Sequence, residues 1–357
     1  MTNRTYKIAS IPGDGIGKEV LPAGQEIVQA LQDRFGFKVE WTEFDWSCEK
    51  YLETGQMMPS DGIAQLKDFD SIYLGAVGWP TVPDHVSLWG LLLPIRRELH
   101  QYANVRRIRL LDGIQSPLAG RGPKDIDFVV VRENVEGEYS EIGGRLNRGT
   151  EDELAVQEAV FTRKGTDRIM RYAFELAKTR KRNKVTSATK SNGIMHSMPF
   201  WDERFAEMAS RYPEAETDQF HIDILTAHFV LHPDWFEVVV ASNLFGDILS
   251  DLGPAIAGSI GIAPSANINP EGEFPSMFEP VHGSAPDIAG KGVANPVAAI
   301  WTAAEMLDHL GESEAAQCII SAIEKSFRDD ATKTRDLGGT GSTRDVTQAI
   351  KTFCADA

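Results

Sequence analysis

Asp247 and Asp251 lie four residues apart in Asn243-Leu-Phe-Gly-Asp-Ile-Leu-Ser-Asp-Leu-Gly-Pro254. A helix puts both carboxylates on one face. Like charges at that spacing repel by roughly a few tenths of a kcal/mol. Asp251 also approaches the C-terminal end, where the helix dipole disfavours an anion. Both terms call for a compensating cation, and hard oxygen ligands suit Mg2+ or Mn2+. A solvated helix face is the alternative, although the flanking Leu, Ile and Phe residues leave little of this face to water. Asp223, in His221-Ile-Asp-Ile-Leu225, is a third carboxylate in an apolar setting.

Arg96, Arg106 and Arg132 form a candidate basic cluster. Arg132 ends the apolar run Phe128-Val-Val-Val131, so it emerges at the C-terminal end of a strand, where α/β sites tend to lie. Guanidinium groups match carboxylates bidentately, but taken singly each arginine reads more readily as surface charge. Lys190 lies in the small-residue stretch Thr186-Ser-Ala-Thr-Lys-Ser-Asn-Gly193, and a lysine held near cations can serve as a base. Tyr139 is a proton donor or a packing residue. His282 stands among turn residues, which account for it as well as ligand contact does. Gly13-Asp-Gly-Ile-Gly17 is G-x-G-x-G rather than the dinucleotide fingerprint G-x-G-x-x-G, so a plain tight turn competes with any nucleotide role.

These residues need elements to place them. Tyr6 to Pro12 reads as a buried strand, the glycine cluster as a turn, and Lys18 to Phe35 as a helix with apolar residues at helical period. Lys38 to Phe44 and Asp70 to Val77 are strand-like, so the chain opens as an α/β domain with parallel strands. Arg106 to Leu111, Ile126 to Glu133, Leu154 to Thr162, Val185 to Lys190 and Phe236 to Ser242 read as further strands. Lys164 to Arg182, Asn243 to Ala257, Pro296 to Leu310, Ala315 to Phe327 and Asp345 to Cys354 read as helices. Residues 258–291, rich in Gly, Pro, Ser and Asn, predict an ordered loop. With no flexible linker, the chain is expected to cross between domains more than once, leaving a discontinuous first domain.

Composition bounds the partners. In 357 residues, 36 Lys and Arg face 52 Asp and Glu, a net charge of -16. Such a field repels nucleic acid and anionic membrane surfaces, so only a local basic cluster or a bound cation can draw in a small anion. The 3 cysteines, Cys48, Cys318 and Cys354, show no metal-ligand spacing and predict reduced thiols. No signal-like segment and no run of about 18 apolar residues is present, so the expected location is the cytoplasm.

Taken in order, the segments IPGDGIG (11 to 17), IRRELHQYANVR (95 to 106), VVVRENVEGEYS (129 to 140), TSATKSNG (186 to 193), HIDILTAHFV (221 to 230), NLFGDILSDLG (243 to 253) and FEPVHGSAPDIAGKGVANP (278 to 296) resemble the β-decarboxylating dehydrogenases. That family includes the isocitrate, 3-isopropylmalate, D-malate and tartrate dehydrogenases. The resemblance implies a two-domain α/β fold with a shared central sheet, distinct from the Rossmann fold. Residues 1–103 and 253–357 would bind cofactor, and residues 104–252 would carry substrate, metal and dimer contacts. It also implies a homodimer with active sites shared between subunits. Arg96, Arg106 and Arg132 would hold the substrate's α-carboxylate. Asp247 and Asp251, with Asp223 of the neighbour, would hold Mg2+ or Mn2+. Lys190 of the neighbour would be the base and Tyr139 the acid. His282, Gly283, Ser284, Ala285, Asp287 and Asn295 would line the adenosine end of NAD, and a monovalent cation such as K+ would stimulate turnover.

One segment departs from the isocitrate and isopropylmalate patterns. Val86-Ser-Leu-Trp-Gly-Leu-Leu-Leu-Pro-Ile-Arg96 is similar to the tartrate and D-malate branch. Trp89 and Leu92 offer no partner to a γ-carboxylate, which would be left unpaired at a cost of several kcal/mol. The expected activity is therefore NAD-dependent oxidation of a small dicarboxylic 2-hydroxy acid, tartrate or D-malate, at the C2 hydroxyl. Decarboxylation is expected for D-malate, to pyruvate and CO2, and for meso-tartrate, to D-glycerate. A 3-isopropylmalate dehydrogenase, a non-catalytic subunit of a heteromeric isocitrate dehydrogenase and an RNA-binding protein are the competing readings. Tyr139, Lys190 and all three aspartates stand against the non-catalytic one.

Overall fold

Strand β1 (Arg4–Gly13) buries Ile8, Ala9 and Ile11 completely, because it runs inside a sheet covered on both faces. A computed structural model describes residues 4–356. β1 pairs in parallel with β2 (Phe37–Glu43) and β3 (Ser71–Ala76). Between β1 and β2 the helix Gly17–Phe35 packs Val20, Leu21, Ile27, Val28 and Leu31 into the core. It stops at Gly36, whose left-handed φ of 71° lets its N–H return to the Gln32 carbonyl.

The remaining strands are β4 (Ala103–Arg109), β5 (Asp127–Glu133), β6 (Gly143–Leu146), β7 (Leu154–Gln157), β8 (Lys184–Thr189), β9 (Glu216–His221), β10 (Val238–Ala241), β11 (Pro264–Ile268) and β12 (Ser276–Pro280). Among the described residues, ten of the twelve strands form one sheet in the order β2-β1-β3-β12-β11-β4-β5-β10-β8-β9. Both ends are parallel. The middle is antiparallel, from β12 through β11 and β4 to β5. The fold is mixed α/β with one large central sheet, and its strand order is not that of the dinucleotide-binding fold.

The middle of the sheet corrects the sequence reading. Residues 258–291, expected as loop, contain β11 and β12, two central strands. Their sequences, Pro-Ser-Ala-Asn-Ile and Ser-Met-Phe-Glu-Pro, carry weak strand propensity. Tertiary pairing overrides that propensity, as polar side chains find partners on neighbouring strands. Asn104 Nδ2 on β4 donates to Ser265 Oγ and Asn267 Oδ1 on β11 at 3.1 and 2.9 Å. The expected strand 154–162 shrinks to β7, which pairs only with β6 in an exposed two-stranded ribbon. β9 and the helices Ser197–Arg211 and Ile222–Leu231 carry weak periodic signals and escaped the sequence reading.

A second hydrophobic cluster covers the other face of β1 and β3. It joins Ile11, Ile72 and Leu74 to Leu91, Ile95 and Leu99, a stripe spaced by four residues along one helical segment. That segment runs from Asp84 through a π-helical turn, Leu88–Leu92, to Glu98. Pro94 supplies no N–H and its ring crowds the Gly90 carbonyl, so the turn widens and Leu93 N–H bonds back to Leu88. Burial of the stripe fixes the helix that carries Arg96.

Candidate active site

Three guanidiniums converge under the central strands. Arg106 on β4 and Arg132 at the end of β5 lie on one sheet face, since Arg106 pairs with Val130 and Asn104 with Arg132. Arg96 enters from the helix above. All three are buried. Arg96 Nη2 donates to Glu279 Oε1 at 2.6 Å, and Arg106 Nε donates to Asn104 Oδ1 at 2.8 Å. Arg132 donates twice to Asn243 Oδ1, at 3.0 and 2.7 Å, and again to Asp247 Oδ1. Burial and the nearby Arg132 charge bring the Arg106 guanidinium down to about 10. The Arg106 guanidinium, whose one side-chain hydrogen bond among the described residues goes to Asn104, would gain from a nearby anion.

The helix Asn243–Ile256 supplies the acidic pair, as the spacing requires. A Cβ on Gly246 would sit 2.5 Å from Arg132 Cβ and Cγ, so glycine there lets the arginine stem pass beside the helix. Tyr139 Oη donates to Asp247 Oδ2 at 2.6 Å. Burial alone would raise the Asp247 carboxyl, but Arg132, the Tyr139 hydroxyl, Arg106 and Arg96 hold it below the usual range. Asp251 is pushed up by burial and then by the Asp247 charge. A hard cation between the two carboxylates would relieve that repulsion, so the donor set fits Mg2+ or Mn2+. Burial and the Asp247 contact push the Tyr139 hydroxyl up to about 12, which keeps it protonated at neutral pH.

Lys190 and Asp223 form a pair of their own. Lys190 Nζ donates to Asp223 Oδ1 at 2.8 Å, which holds the exposed Asp223 carboxyl below its usual range. Among the described residues, no hydrogen bond or ion pair joins either residue to Asp247, Asp251 or the arginines. Within one chain, no group of three His, Cys, Asp or Glu side chains is placed to hold a metal ion among the described residues.

The loop 282–287 leans on the glycine turn. Ile16 N–H donates to the Ser284 carbonyl at 2.8 Å, and a Cβ on Gly15 would meet that oxygen at 2.0 Å. The glycine cluster thus places the loop through backbone contact. His282 Nδ1 faces the Gly283 carbonyl at 3.0 Å, while its buried Nε2 has no hydrogen-bond partner among the described residues, and burial lowers its pKa. Ala285 takes a positive φ of 39° and accepts the Ile288 N–H. The Asp287 carboxylate is exposed and makes no hydrogen bond among the described residues. Only its backbone carbonyl is engaged, by Lys291 Nζ at 2.6 Å. Asn295 bridges Asp336 Oδ2 and Val297 N–H at 2.9 and 3.0 Å.

Several residues of this site escaped the sequence reading. Glu279 is a buried carboxylate on the fully buried β12. Arg96, Arg106 and Asn267 outweigh its burial and keep its carboxyl below the usual range. Its signal was a lone acid among apolar neighbours. Glu138 accepts from Ser242 Oγ at 2.7 Å and Leu244 N–H at 3.0 Å, and so anchors the start of the aspartate helix. Asn243, Asp336 and Arg97 carried no local signal, because Arg132, Asn295 and Tyr139, the partners that tie them to the site, lie far away in sequence.

The isocitrate/isopropylmalate dehydrogenase family model matches residues 7–350. The chain belongs to that family. It is 60% identical over 354 residues to the D-malate dehydrogenase (decarboxylating) of Escherichia coli (strain K12), covering 97% of this chain and 98% of that protein. It is 57% identical over 358 residues to the tartrate dehydrogenase/decarboxylase of Pseudomonas putida, covering 98% of each. The crystal structure of isocitrate dehydrogenase from Methylococcus capsulatus superposes with a TM-score of 0.89 at 34% identity, over 98% of this chain and 99% of that one. The matched residues 7–350 of this isocitrate/isopropylmalate dehydrogenase family member span every segment that builds the candidate site.

Proposed function

We propose that the protein oxidises D-malate and tartrate at the C2 hydroxyl with NAD and a divalent metal, and releases CO2 from D-malate. The observation that carries this reading is the convergence of three buried guanidiniums on the Asp247–Tyr139 pair. Three positive groups face the Glu279, Asp247 and Asp251 carboxylates, so the site is near neutral when empty. A divalent cation then makes it attractive to a dianion.

Arg96, Arg106 and Arg132 hold the α-carboxylate and orient C2. Asp247 and Asp251, joined by Asp223 of a second subunit, would hold Mg2+ or Mn2+, which would supply Lewis-acid chemistry. His282 to Asp287 and Asn295 would hold NAD, which would supply the hydride acceptor. Lys190, also of the second subunit, takes the hydroxyl proton as the hydride leaves C2. Tyr139 delivers a proton to C3 after CO2 departs. Trp89 and Leu92 give a γ-carboxylate no partner, which favours substrates with hydrogen or hydroxyl on C3.

Two further features support the shared site. The Lys190–Asp223 pair stands apart from the acidic helix, and exposed Ile224, Val230, Leu231, Leu244 and Ile248 lie on the two helices concerned. The sheet supports a division into residues 1–103 with 253–357 and residues 104–252. β11 and β12 return to the half built by β1–β3, and β5 and β8–β10 form the other. Buried free cysteines support a reducing, cytoplasmic setting, and no described helix is long and apolar enough to cross a membrane.

The test is a product assay with D-malate, L-tartrate and meso-tartrate, with NAD+ and Mn2+ present and CO2 captured. NADH and pyruvate formed in equal amounts from D-malate is the expected result. Preferred turnover of isopropylmalate would overturn the reading.

A further inference from the structure

Arg97 joins the Trp89 segment, read above as shaping the substrate pocket, to the chain that carries Tyr139. Its guanidinium carbon lies 4.6 Å from the Trp89 ring centroid. Its Nη2 donates to the Tyr139 carbonyl at 2.7 Å, and its Nη1 reaches Glu141 Oε2 at 3.2 Å. Arg96, the adjacent residue, faces Glu279 instead, so the two arginines serve different partners.

The π-helical turn makes this link possible. Residues eight apart in an α-helix are offset by about 80° around the axis. One extra residue in the widened turn makes Trp89 and Arg97 sit as residues seven apart would, about 20° from alignment. The guanidinium can then stack its face on the indole and still present an edge N–H to the Tyr139 carbonyl. Tyr139 is consequently held at two points, its backbone by Arg97 and its hydroxyl by Asp247 at 2.6 Å.

We propose that Arg97 is a positioning residue that couples the Trp89 wall to the Tyr139 proton donor, so that substrate shape and C3 protonation are set together. The inference rests on the reading of Tyr139 as that donor. In the step concerned, the C3–C4 bond of the oxidised intermediate breaks and CO2 leaves. The electron pair passes into the enolate, and the Tyr139 hydroxyl proton goes to C3, with no net oxidation. An ammonium group offers no flat face together with an edge donor, so Arg97→Lys keeps the charge and loses the coupling.

The readout is the fate of oxaloacetate given to the metal-loaded enzyme with NADH. Reduction to D-malate uses the Lys190 side of the site, and decarboxylation to pyruvate uses Tyr139. Arg97→Lys is expected to shift this partition toward reduction by about tenfold, with reduction itself within about threefold of wild type. The ratio of kcat/KM for isopropylmalate to that for D-malate should rise in the same variant by about tenfold. Trp89→Leu removes the other half of the contact and should move both ratios the same way, so it tests the link if Arg97→Lys fails to fold. Unchanged ratios in the folded variants, or reduction and decarboxylation falling in parallel, would overturn the proposal. Wild-type enzyme that neither reduces nor decarboxylates oxaloacetate would refute the proposed function instead.

Discussion

The Tyr139 hydroxyl donates to Asp247 Oδ2 at 2.6 Å, so the proposed acid and a proposed metal ligand share one hydrogen bond. The contact draws the two groups in opposite directions, Tyr139 up to about 12 and Asp247 below the usual carboxylate range. Tyr139 therefore keeps its proton across the neutral range. Tyr139→Phe should lower pyruvate formation from D-malate by about 100-fold while sparing oxaloacetate reduction. Stopped-flow traces with each substrate check this, and equal losses in both reactions would remove Tyr139 from the protonation step.

Asp251→Asn should reduce turnover by orders of magnitude and weaken Mn2+ binding. Without metal, the variant should be more stable by roughly a few tenths of a kcal/mol, because one of two repelling carboxylates is gone. Isothermal titration and metal-free thermal unfolding measure the two effects separately. An unchanged Mn2+ affinity would refute the ligand assignment.

Mixed protomers test the shared site. Lys190→Ala and Asp251→Asn chains should each be nearly inactive alone. A heterodimer would combine the intact Lys190 of one chain with the intact acidic helix of the other at one site, recovering up to about half of the wild-type activity. Heterodimers that form by native mass spectrometry but stay inactive would rule out the arrangement.

Glu133 offers a pH prediction. Burial raises its carboxyl to about 7, against the opposing Arg168 charge and backbone N–H groups. Its Oε1 accepts from the N–H groups of Asn134, Val135 and Glu136, while the buried Oε2 has no partner among the described residues. Because the folded value lies above the unfolded one, the native state binds the proton more tightly. Its contribution is fully present below about pH 4.5 and is lost as pH rises to about 7, an upper bound of about 3 kcal/mol. Glu133→Gln keeps an acceptor for the turn, so its stability should fall less than wild type between pH 5 and pH 8. Chemical denaturation at the two pH values checks the difference, and parallel slopes would refute it.

Asp287 should select NAD+ over NADP+. Its carboxylate makes no hydrogen bond or ion pair among the described residues, which disfavours the view that it merely caps the turn after Pro286. An ionised carboxylate accepts from both ribose hydroxyls but repels a 2′-phosphate. Losing one charge-assisted hydrogen bond costs roughly 1.5–3 kcal/mol, so the preference should exceed about tenfold. Measuring kcat/KM for both cofactors in wild type and Asp287→Lys decides the point. Wild-type preference for NADP+, or no shift in the variant, would take Asp287 out of the cofactor site.

Much of the candidate site was legible in the chain itself. The spacing of Asp247 and Asp251 on an apolar helix, and Arg132 at the end of a valine run, depend on local periodicity, which sequence carries directly. The failed fingerprint at Gly13 to Gly17 was equally local. What that turn does was not legible, because its partner is the Ser284 carbonyl nearly 270 residues away. The same limit hid β11 and β12, whose asparagine, serine and glutamate side chains look like loop until β3 and β4 flank them. Glu279 among the arginines, Arg97 between Trp89 and Tyr139, and the isolation of Lys190 with Asp223 were all decided by tertiary structure. A buried polar side chain is stable only with a partner, and when that partner lies across the sheet no local pattern can announce it.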